Sequence, residues 1–197
     1  MNTLKAGFSC VDITAPLGAS MDGYFHVRYA EGVLDPLLLR CLALECGEQK
    51  VLLMALDTCE TVTTYSDKVR RHVSEVTGVP VEGIFFHATH THTGADLYFR
   101  NGSNALDTQY GELVYTRAAD AAVMAIADLK PAKMGCAVAQ APNIAFVRRF
   151  RMKDGKVRTN PGVGNPDILH PIGDVDERVN VLRFDREGAE TIVLGNM

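Results

Sequence analysis

The stretch GIFFHATHTHTG, residues 83–94, begins as an apolar and aromatic run shortly after Pro80 and ends in three histidines. A short apolar run bounded by Pro and Gly predicts a buried β-strand. Side chains alternate faces along a strand, so a strand that runs to the end of this stretch would carry His90 and His92 on one face and His87 on the other. The sequence therefore predicts two imidazoles side by side where a strand leaves its sheet.

Two interpretations of these histidines are open. Neutral imidazole is the commonest protein ligand for zinc and similar metals. Half of the chain's six histidines fall within this stretch, which favours a metal or catalytic site. The alternative is a polar pocket of hydrogen-bonded histidines. A catalytic zinc has three protein ligands and one open position for water, so further ligands would have to come from other segments.

Neighbouring side chains could complete or orient such a site. The hydroxyls of Thr89, Thr91 and Thr93 are candidates to fix the orientation of the imidazoles. Asp57 is the best candidate for a nearby carboxylate, because it ends the apolar run 51–56 and the ends of neighbouring parallel strands meet. Asp57 could equally be a turn residue or a helix N-cap that follows this strand.

Composition excludes several classes of protein. A chain of 197 residues suggests one domain with a real core, and its 47% apolar and 22% charged residues are ordinary for a soluble globular protein. The net charge of −4 argues against a nucleic-acid partner. An apolar run such as residues 51–56 is too short for a transmembrane segment. The N-terminus has no apolar core of a secretory signal, so we expect a cytoplasmic protein, or an exported one from which a signal was removed.

The five cysteines are odd in number and contain no C-x-x-C pair. Cys10, Cys41 and Cys136 lie in apolar, strand-like runs. We interpret them as small buried residues in a reducing compartment and not as a disulfide framework.

Two helices are predicted. The first covers residues 63–77, with Gly78 as its C-cap and with His72 as a partly buried structural residue. The second covers residues 108–129 and would be capped by Asp107 or Thr108. Its inward face would consist of Leu113, Ala118, Ala121, Ala125 and Ile126.

Strands and hairpins make up most of the remaining chain. A first strand is predicted over residues 4–13 and another over 133–141. Three hairpins are predicted where two apolar runs flank a short polar turn: 36–44 with 50–56, 145–152 with 156–159 around Asp154-Gly155, and 177–184 with 190–194. Together with the helices they predict an α/β fold of mixed β-sheets with hairpins packed against helices.

Three loops are predicted, and the first two could approach the histidines. Residues 21–31 carry Tyr24, His26 and Arg28, which we interpret as rim residues and not as parts of the site. Residues 95–107 follow the histidine stretch, and a loop in that position often covers a site. Residues 160–173, rich in Pro, Gly and Asn, are predicted to be a long loop that carries His170.

Several stretches, in order along nearly the whole chain, resemble the neutral/alkaline (non-lysosomal) ceramidase family. The most specific is THTHTG at residues 89–94, which resembles the family's T-H-T-H-S-G signature. The other similar stretches are VDITAP at 11–16, MDGY at 21–24, GVLDPL at 32–37, RCLAL at 40–44, FVRR at 146–149 and residues 176–184. Thr93, Ala95 and Val147 depart from the family pattern and indicate a divergent branch.

The resemblance implies a zinc-dependent amidase that cleaves the N-acyl bond of ceramide to a fatty acid and sphingosine. It implies that His90 is a zinc ligand, that the catalytic residue His92 lines the site beside the metal, and that Arg148 is a catalytic cation, or Arg149 if the register slips by one residue. The family's other ligands, a second His, a Glu and a Tyr, lie further along. We therefore expect residues 1–197 to be the N-terminal portion of one catalytic domain, truncated at its C-terminus, weak in zinc binding and inactive alone.

Chemistry supports these assignments. Zinc lowers the pKa of bound water to about 7 and polarises an amide carbonyl. His92 would donate a hydrogen bond to the carbonyl oxygen or the oxyanion, and Arg148 would add positive charge, with a lipid or small-molecule amide as substrate. The alternatives are another metal-dependent hydrolase and a non-catalytic binding domain. Gly94 and Ala95 exclude a metallo-β-lactamase-like site, and the hairpins argue against an amidohydrolase barrel.

Overall fold

The computed structural model describes residues 3–99 and 103–197, and the described chain forms two compact units. The first unit comprises the chain up to Lys133 together with Asp185–Glu190. The second unit comprises Met134–Phe184 and Thr191–Met197. Every candidate residue around the histidine stretch belongs to the first unit, whereas Arg148 and Arg149 belong to the second.

The first unit is a mixed β-sheet packed against two helices. Its elements are β1 (Leu4–Asp12), β2 (Ser20–Met21), β3 (Arg28–Tyr29), β4 (Leu38–Cys46), β5 (Gln49–Leu56), α1 (Thr63–Thr77), β6 (Ile84–Ala88) and α2 (Ala105–Ala127). In the main sheet β4 pairs antiparallel with both β1 and β5, and β5 pairs parallel with β6. Strands β2 and β3 form a separate small ribbon.

The core of this unit lies between the sheet and the helices. Helix α2 packs on β1 and β4, and α1 packs on α2 and β6. The fully buried aliphatic side chains include Leu39, Leu52, Met54, Leu56, Val69, Val73 and Val114. Ala118, Ala121, Ala122 and Ala125 give α2 a smooth buried face, and such small side chains allow the helix to lie close to the sheet.

The second unit contains the remaining strands. They are β7 (Lys130–Gln140), which starts in the first unit by pairing with β1, then β8 (Arg149–Met152), β9 (Val157–Thr159), β10 (Ile168–Pro171), β11 (Arg178–Arg186) and β12 (Ile192–Asn196). Strands β11 and β12 form an antiparallel hairpin, and β8 pairs with both β9 and β10. Neither helix in the described residues has the length and apolar composition needed to cross a lipid bilayer.

The predicted α/β class is confirmed, as are all three hairpins. Helix α1 has the predicted bounds, and its C-cap Gly78 is left-handed with φ 72°. His72 stacks on Tyr115 with ring centroids 4.2 Å apart, so it is the structural, partly buried residue that the apolar stripe predicted.

The predicted start of α2 is wrong. The helix begins at Ala105, and its N-cap is Asn104, whose side chain accepts a hydrogen bond from the Leu106 backbone N–H. Asp107 is the third helical residue and accepts from the backbone N–H groups of Asn104 and Ser20. Leu113, predicted to face inward, is 38% exposed. The capping box at 104–107 thus starts the helix one turn earlier than predicted.

Three further predictions are corrected. Residues 168–171, predicted to be loop, form β10, because the ladder with β8 supplies hydrogen bonds that local composition does not reveal. Cys10 and Cys136 are exposed, although Cys41 is buried as predicted. Burial raises the pKa of the Cys41 thiol to about 12. The strand predicted over the histidine stretch ends at Ala88, before His90 and His92.

At Gly7 strand β1 lies close to the C-terminal end of α2, and replacement of this glycine tests the packing. A Cβ atom at Gly7 would lie 2.0 Å from the Ala125 carbonyl oxygen and 2.8 Å from the Leu129 nitrogen. We expect Gly7→Ala to lower the free energy of unfolding by about 1–3 kcal/mol, because backbone atoms of the helix must move. Urea denaturation measures this change. Gly32→Ala is the matched control, since a Cβ there meets nothing within 4 Å; equal midpoints for the two variants would contradict the packing described.

Candidate functional site

The candidate site lies where β5 and β6 leave the sheet together. The two strands are parallel with Leu56 opposite Ala88, so the segments that follow them emerge side by side, as predicted. Backbone hydrogen bonds continue this alignment beyond the strands: the His90 N–H donates to the Thr58 carbonyl at 3.0 Å. The carboxyl ends of parallel strands are the usual location of ligand sites in open α/β sheets.

A turn, and not strand alternation, brings the two histidines together. His90 has a left-handed backbone with φ 64°, which is uncommon for a residue other than glycine. The Nε2 atoms of His90 and His92 are 3.3 Å apart, with ring centroids 5.0 Å apart and planes at 72°. The predicted proximity of the two histidines is therefore correct, but the predicted backbone conformation is wrong. The prediction extended β6 through residues that form a turn.

The hydrogen bond on the other nitrogen of His90 decides its tautomer. Nδ1 of His90 lies 2.8 Å from the carbonyl oxygen of Cys59. A carbonyl can only accept, so Nδ1 carries the proton and Nε2 keeps its lone pair. A backbone carbonyl on one nitrogen with the other left as ligand is the usual arrangement of a metal-binding histidine.

The spacing of the two Nε2 atoms also fits a metal site. A tetrahedral zinc with Zn–N bonds of about 2.0–2.1 Å separates two nitrogen ligands by about 3.3 Å. The observed separation is 3.3 Å. The same distance is compatible with a hydrogen bond between the two imidazoles, as in the polar-pocket alternative. His90 is exposed and His92 partly buried, so a ligand can reach this point from solvent.

Cys59 is a candidate site residue that the sequence did not reveal. Its thiol is 3.8 Å from His90 Nδ1, and Cys59 is 3% exposed. Cys59, His90 and His92 each offer a ligand atom within 4.8 Å of those of the other two, and Asp22, Cys59 and Glu60 form a second group of this kind. The position of Cys59 in the sequence could have indicated this role, because Cys59 closely follows β5 just as His90 closely follows β6.

The loop between β2 and β3 holds His92 in place. Two backbone contacts place this loop beside the histidine turn. The Asp22 N–H donates to the Gly94 carbonyl, and Met21 forms an isolated β-bridge with Ala95. Arg28 Nη2 donates to the His92 carbonyl at 2.6 Å, and its guanidinium carbon lies 3.9 Å from the centre of the Tyr24 ring. This network orients the backbone that carries His92.

The interpretation of this loop as rim is wrong for two of its residues. The Tyr24 ring packs edge-on to His92 with centroids 5.8 Å apart, and Arg28 binds the His92 carbonyl. His26 is exposed and touches the ring of Tyr24, which is compatible with the predicted rim position. The sequence shows that this loop has aromatic and basic residues, but it does not show which strand end the loop will contact.

Gly23 sets how closely this loop can approach. Its φ of 96° is accessible to glycine and strained for other residues. A Cβ atom at Gly23 would lie 2.5 Å from His92 Cγ, so any side chain would displace the imidazole. Glycine at this position is therefore a requirement of the site.

Asp57 serves the structure of the strand ends. Its carboxylate accepts from Arg40 at 3.0 Å and from the Leu38 backbone N–H at 3.0 Å, and the Thr89 hydroxyl donates to it. Among the described residues, neither group of potential metal ligands includes Asp57. These bonds give Asp57 the turn-stabilising role, which is the alternative to a metal carboxylate.

The threonine hydroxyls also differ from their predicted role as imidazole partners. Thr89 bonds Asp57, whereas Thr91 and Thr93 bond each other at 2.9 Å. The group that orients His90 is the carbonyl of Cys59.

Arg148 and Arg149 belong to the hairpin of the second unit. Arg148 is exposed just before β8, and its carbonyl accepts from the Asn160 N–H at 2.8 Å. Arg149 starts β8, opposite Thr159. The catalytic assignment of either arginine stays a prediction.

Two cavities of the first unit are lined by residues of the histidine turn or of the loop that contacts it. One, of about 430 Å³, is lined mainly by apolar side chains, including Met21, Val33, Leu34 and Leu37, together with Thr91 and Thr93 of the turn and the carboxylates of Asp35 and Asp57. The other, of about 640 Å³, is aromatic and includes Asp22, Tyr24, Phe25, Val27, Tyr98 and Phe99. Residues 100–102 of the predicted covering loop lie outside the described residues, so that prediction is not tested there.

The buried phenol of Tyr110 is not a candidate base. Burial raises its pKa, and the negative charges of Asp57 and Asp12 raise it further, so Tyr110 stays protonated at neutral pH.

The fold and the site together define an α/β protein with a cluster of imidazole, thiol and carboxylate groups at the carboxyl ends of two parallel strands. No protein-family model and no curated protein matches the chain. Solved structures of ceramidases do share its fold.

A neutral ceramidase from Pseudomonas aeruginosa aligns with 97% of this chain at a TM-score of 0.72 and 18% identity. A ceramidase complexed with C2 aligns with 99% of the chain at a TM-score of 0.73 and 17% identity. The alignments cover 31% of each ceramidase chain. At these identities the likeness is one of fold.

Proposed function

We propose that this chain carries part of the active site of a zinc-dependent hydrolase that cleaves an N-acyl amide bond, as ceramidases do. Residues 1–197 would then belong to a single ceramidase-like catalytic domain. The observation that carries the proposal is the imidazole of His90, whose Nε2 lone pair is directed outward by the hydrogen bond from Nδ1 to the Cys59 carbonyl. The THTHTG signature and the fold shared with ceramidases support the same assignment.

The donor groups fit zinc. Imidazole and thiolate are the ligands that zinc prefers, whereas magnesium and calcium prefer oxygen. When bound, zinc supplies a water of lowered pKa and polarises the scissile carbonyl. In this proposal His90 holds the ion through Nε2, and the Cys59 carbonyl keeps that imidazole oriented.

His92 is the proposed catalytic partner. Its Nε2 lies 3.3 Å from His90 Nε2, so it is within hydrogen-bond reach of a group held by His90. A protonated Nε2 would donate to the amide carbonyl oxygen and, more strongly, to the oxyanion that forms from it. Arg28 and Gly23 keep the imidazole in place, which reduces the reorganisation needed during the reaction. The family resemblance also implies a catalytic cation at Arg148, and that role stays a prediction.

The substrate class follows from the surroundings of the turn. The 430 Å³ cavity presents the side chains of Met21, Val33, Leu34 and Leu37 next to Thr91 and Thr93. An apolar lining of this kind suits the alkyl part of an acyl amide, because burying alkyl surface yields about 25 cal/mol per Å². A lipid amide is therefore the preferred substrate in this proposal.

Metal analysis and hydrolysis assays test the proposal. We expect the full-length protein, isolated without chelators, to contain zinc and to release fatty acid from N-acyl sphingosine. Dipicolinate should abolish this activity, and zinc should restore it. Zinc with turnover only of short, water-soluble N-acyl amides would favour another metal-dependent hydrolase. Absence of zinc from a metal-replete preparation would favour a binding domain with a polar histidine pocket.

A further inference from the structure

We propose that the thiol of Cys59 is a direct metal ligand, so that the cation is bound by Cys59 and His90 with His92 beside it. This inference rests on the proposed function, since it concerns the same ion. It adds a ligand type to the site, because the family resemblance implied only His90 from this part of the chain. A thiolate would also favour zinc, cobalt and cadmium over magnesium and manganese.

The first argument is the position of the thiol. Cys59 Sγ is 3.8 Å from Nδ1 of His90, and a ligand atom of each of Cys59, His90 and His92 lies within 4.8 Å of the other two. A tetrahedral zinc with bonds of about 2.3 Å to sulfur and 2.0–2.1 Å to nitrogen separates such ligands by roughly 3.6 Å. Binding of one ion by this thiol and by Nε2 of His90 therefore requires the Cys59 side chain to rotate from the Nδ1 edge of the ring towards Nε2.

The second argument is that both the carbonyl oxygen and the thiol of Cys59 lie next to the imidazole of His90. Its carbonyl accepts the proton of His90 Nδ1 while its thiol lies beside the same ring. One backbone position therefore orients one ligand and supplies another. That position is well defined, because Thr58, the preceding residue, is fully buried and bonded through its hydroxyl to the Ala95 carbonyl at 2.9 Å.

The third argument is that Cys59 is common to both groups of potential ligands. In the described part of the chain, one group adds the imidazoles of His90 and His92, and the other adds the carboxylates of Asp22 and Glu60. Any ion that binds in either group meets the thiol. A buried thiol surrounded by this many ligand groups differs from Cys41, which lies within the hydrophobic core.

Cobalt substitution tests the inference with a readout that is independent of activity. A cobalt–thiolate bond produces a charge-transfer band in the near ultraviolet, and tetrahedral coordination produces strong visible bands. We expect both in the cobalt-loaded full-length protein under reducing conditions. Cys59→Ser should remove the near-ultraviolet band and weaken cobalt affinity at least about tenfold. Cys46→Ser should keep both, since Cys46 is exposed in the β4–β5 hairpin.

The outcomes separate this inference from the proposed function. Visible cobalt bands without a near-ultraviolet band, or with a band that survives in Cys59→Ser, would overturn the thiolate ligand and leave the metal site intact. Failure of the parent protein to bind cobalt or zinc would overturn both proposals.

A second measurement avoids variants that might not fold. X-ray absorption of the zinc-loaded parent protein should show a sulfur neighbour at about 2.3 Å, and a shell of nitrogen and oxygen alone would overturn the inference.

Discussion

Replacing His90 with alanine is expected, under the proposed function, to remove the bound zinc and to lower kcat/KM for amide hydrolysis by about 1000-fold or more. The metal supplies several kcal/mol of transition-state stabilisation, and each 1.4 kcal/mol corresponds to a factor of ten in rate. His90 is the imidazole whose tautomer the Cys59 carbonyl fixes for binding through Nε2. Metal content after dialysis and steady-state kinetics with an N-acyl substrate measure the two effects.

His87→Ala is the matched control for this experiment. His87 lies on β6 three residues earlier, its ring packs near Phe85, and it belongs to neither group of potential metal ligands in the described residues. We expect this variant to keep its zinc and most of its activity. If zinc stayed bound in His90→Ala, or if both variants lost it equally, His90 would not be the ligand.

Replacing His92 is expected to affect the reaction while leaving the metal in place. Loss of one donor to an oxyanion typically lowers kcat by about 100- to 1000-fold, so we expect a decrease of this size in His92→Ala with KM and zinc content little changed. His92→Gln retains an N–H donor and should recover part of the rate. His87→Ala is again the control, because the His87 ring packs near Phe85 and, in the described residues, His87 belongs to neither group of potential metal ligands.

The zinc content of His92→Ala distinguishes the two roles that the geometry permits. The Nε2 separation of 3.3 Å also matches two nitrogens on one ion. Loss of zinc together with loss of rate would make His92 a ligand and contradict its assignment as a donor to the substrate.

The clamp on His92, defined as Gly23, Tyr24 and Arg28, connects the fold to this chemistry. Arg28 reaches the His92 carbonyl, Tyr24 covers one edge of the imidazole, and Gly23 permits the contact. These residues lie more than sixty positions before His92 in the chain. They become neighbours because the segment around Met21 pairs with the segment around Ala95.

Much of the fold was predictable because its signals are local. The period of apolar residues and the glycine after Thr77 predicted α1 to the residue. Short polar turns between apolar runs predicted the hairpins, including the one around Asp154-Gly155. Errors arose where local signals compete. Asn104 and Asp107 both suit a helix start, and the reciprocal capping box assigns the cap to Asn104.

The candidate site was predictable only in part, for the same reason. Two histidines separated by one residue are visible in any sequence, and their approach was correctly expected. The turn at His90 was not, because a left-handed conformation at a non-glycine residue is stabilised by its surroundings, here the bonds to Thr58 and Cys59.

The sequence by itself determined the α/β class, the hairpins, the first helix and the position of an imidazole pair beside a sheet. These features depend on the periodicity and turn chemistry of neighbouring residues. Tertiary structure alone decided that Cys59 meets His90, that Arg28 and Gly23 hold His92, and that Asp57 binds Arg40. Those contacts join segments distant in the chain, and the parallel pairing of β5 with β6, a long-range choice, brings them together.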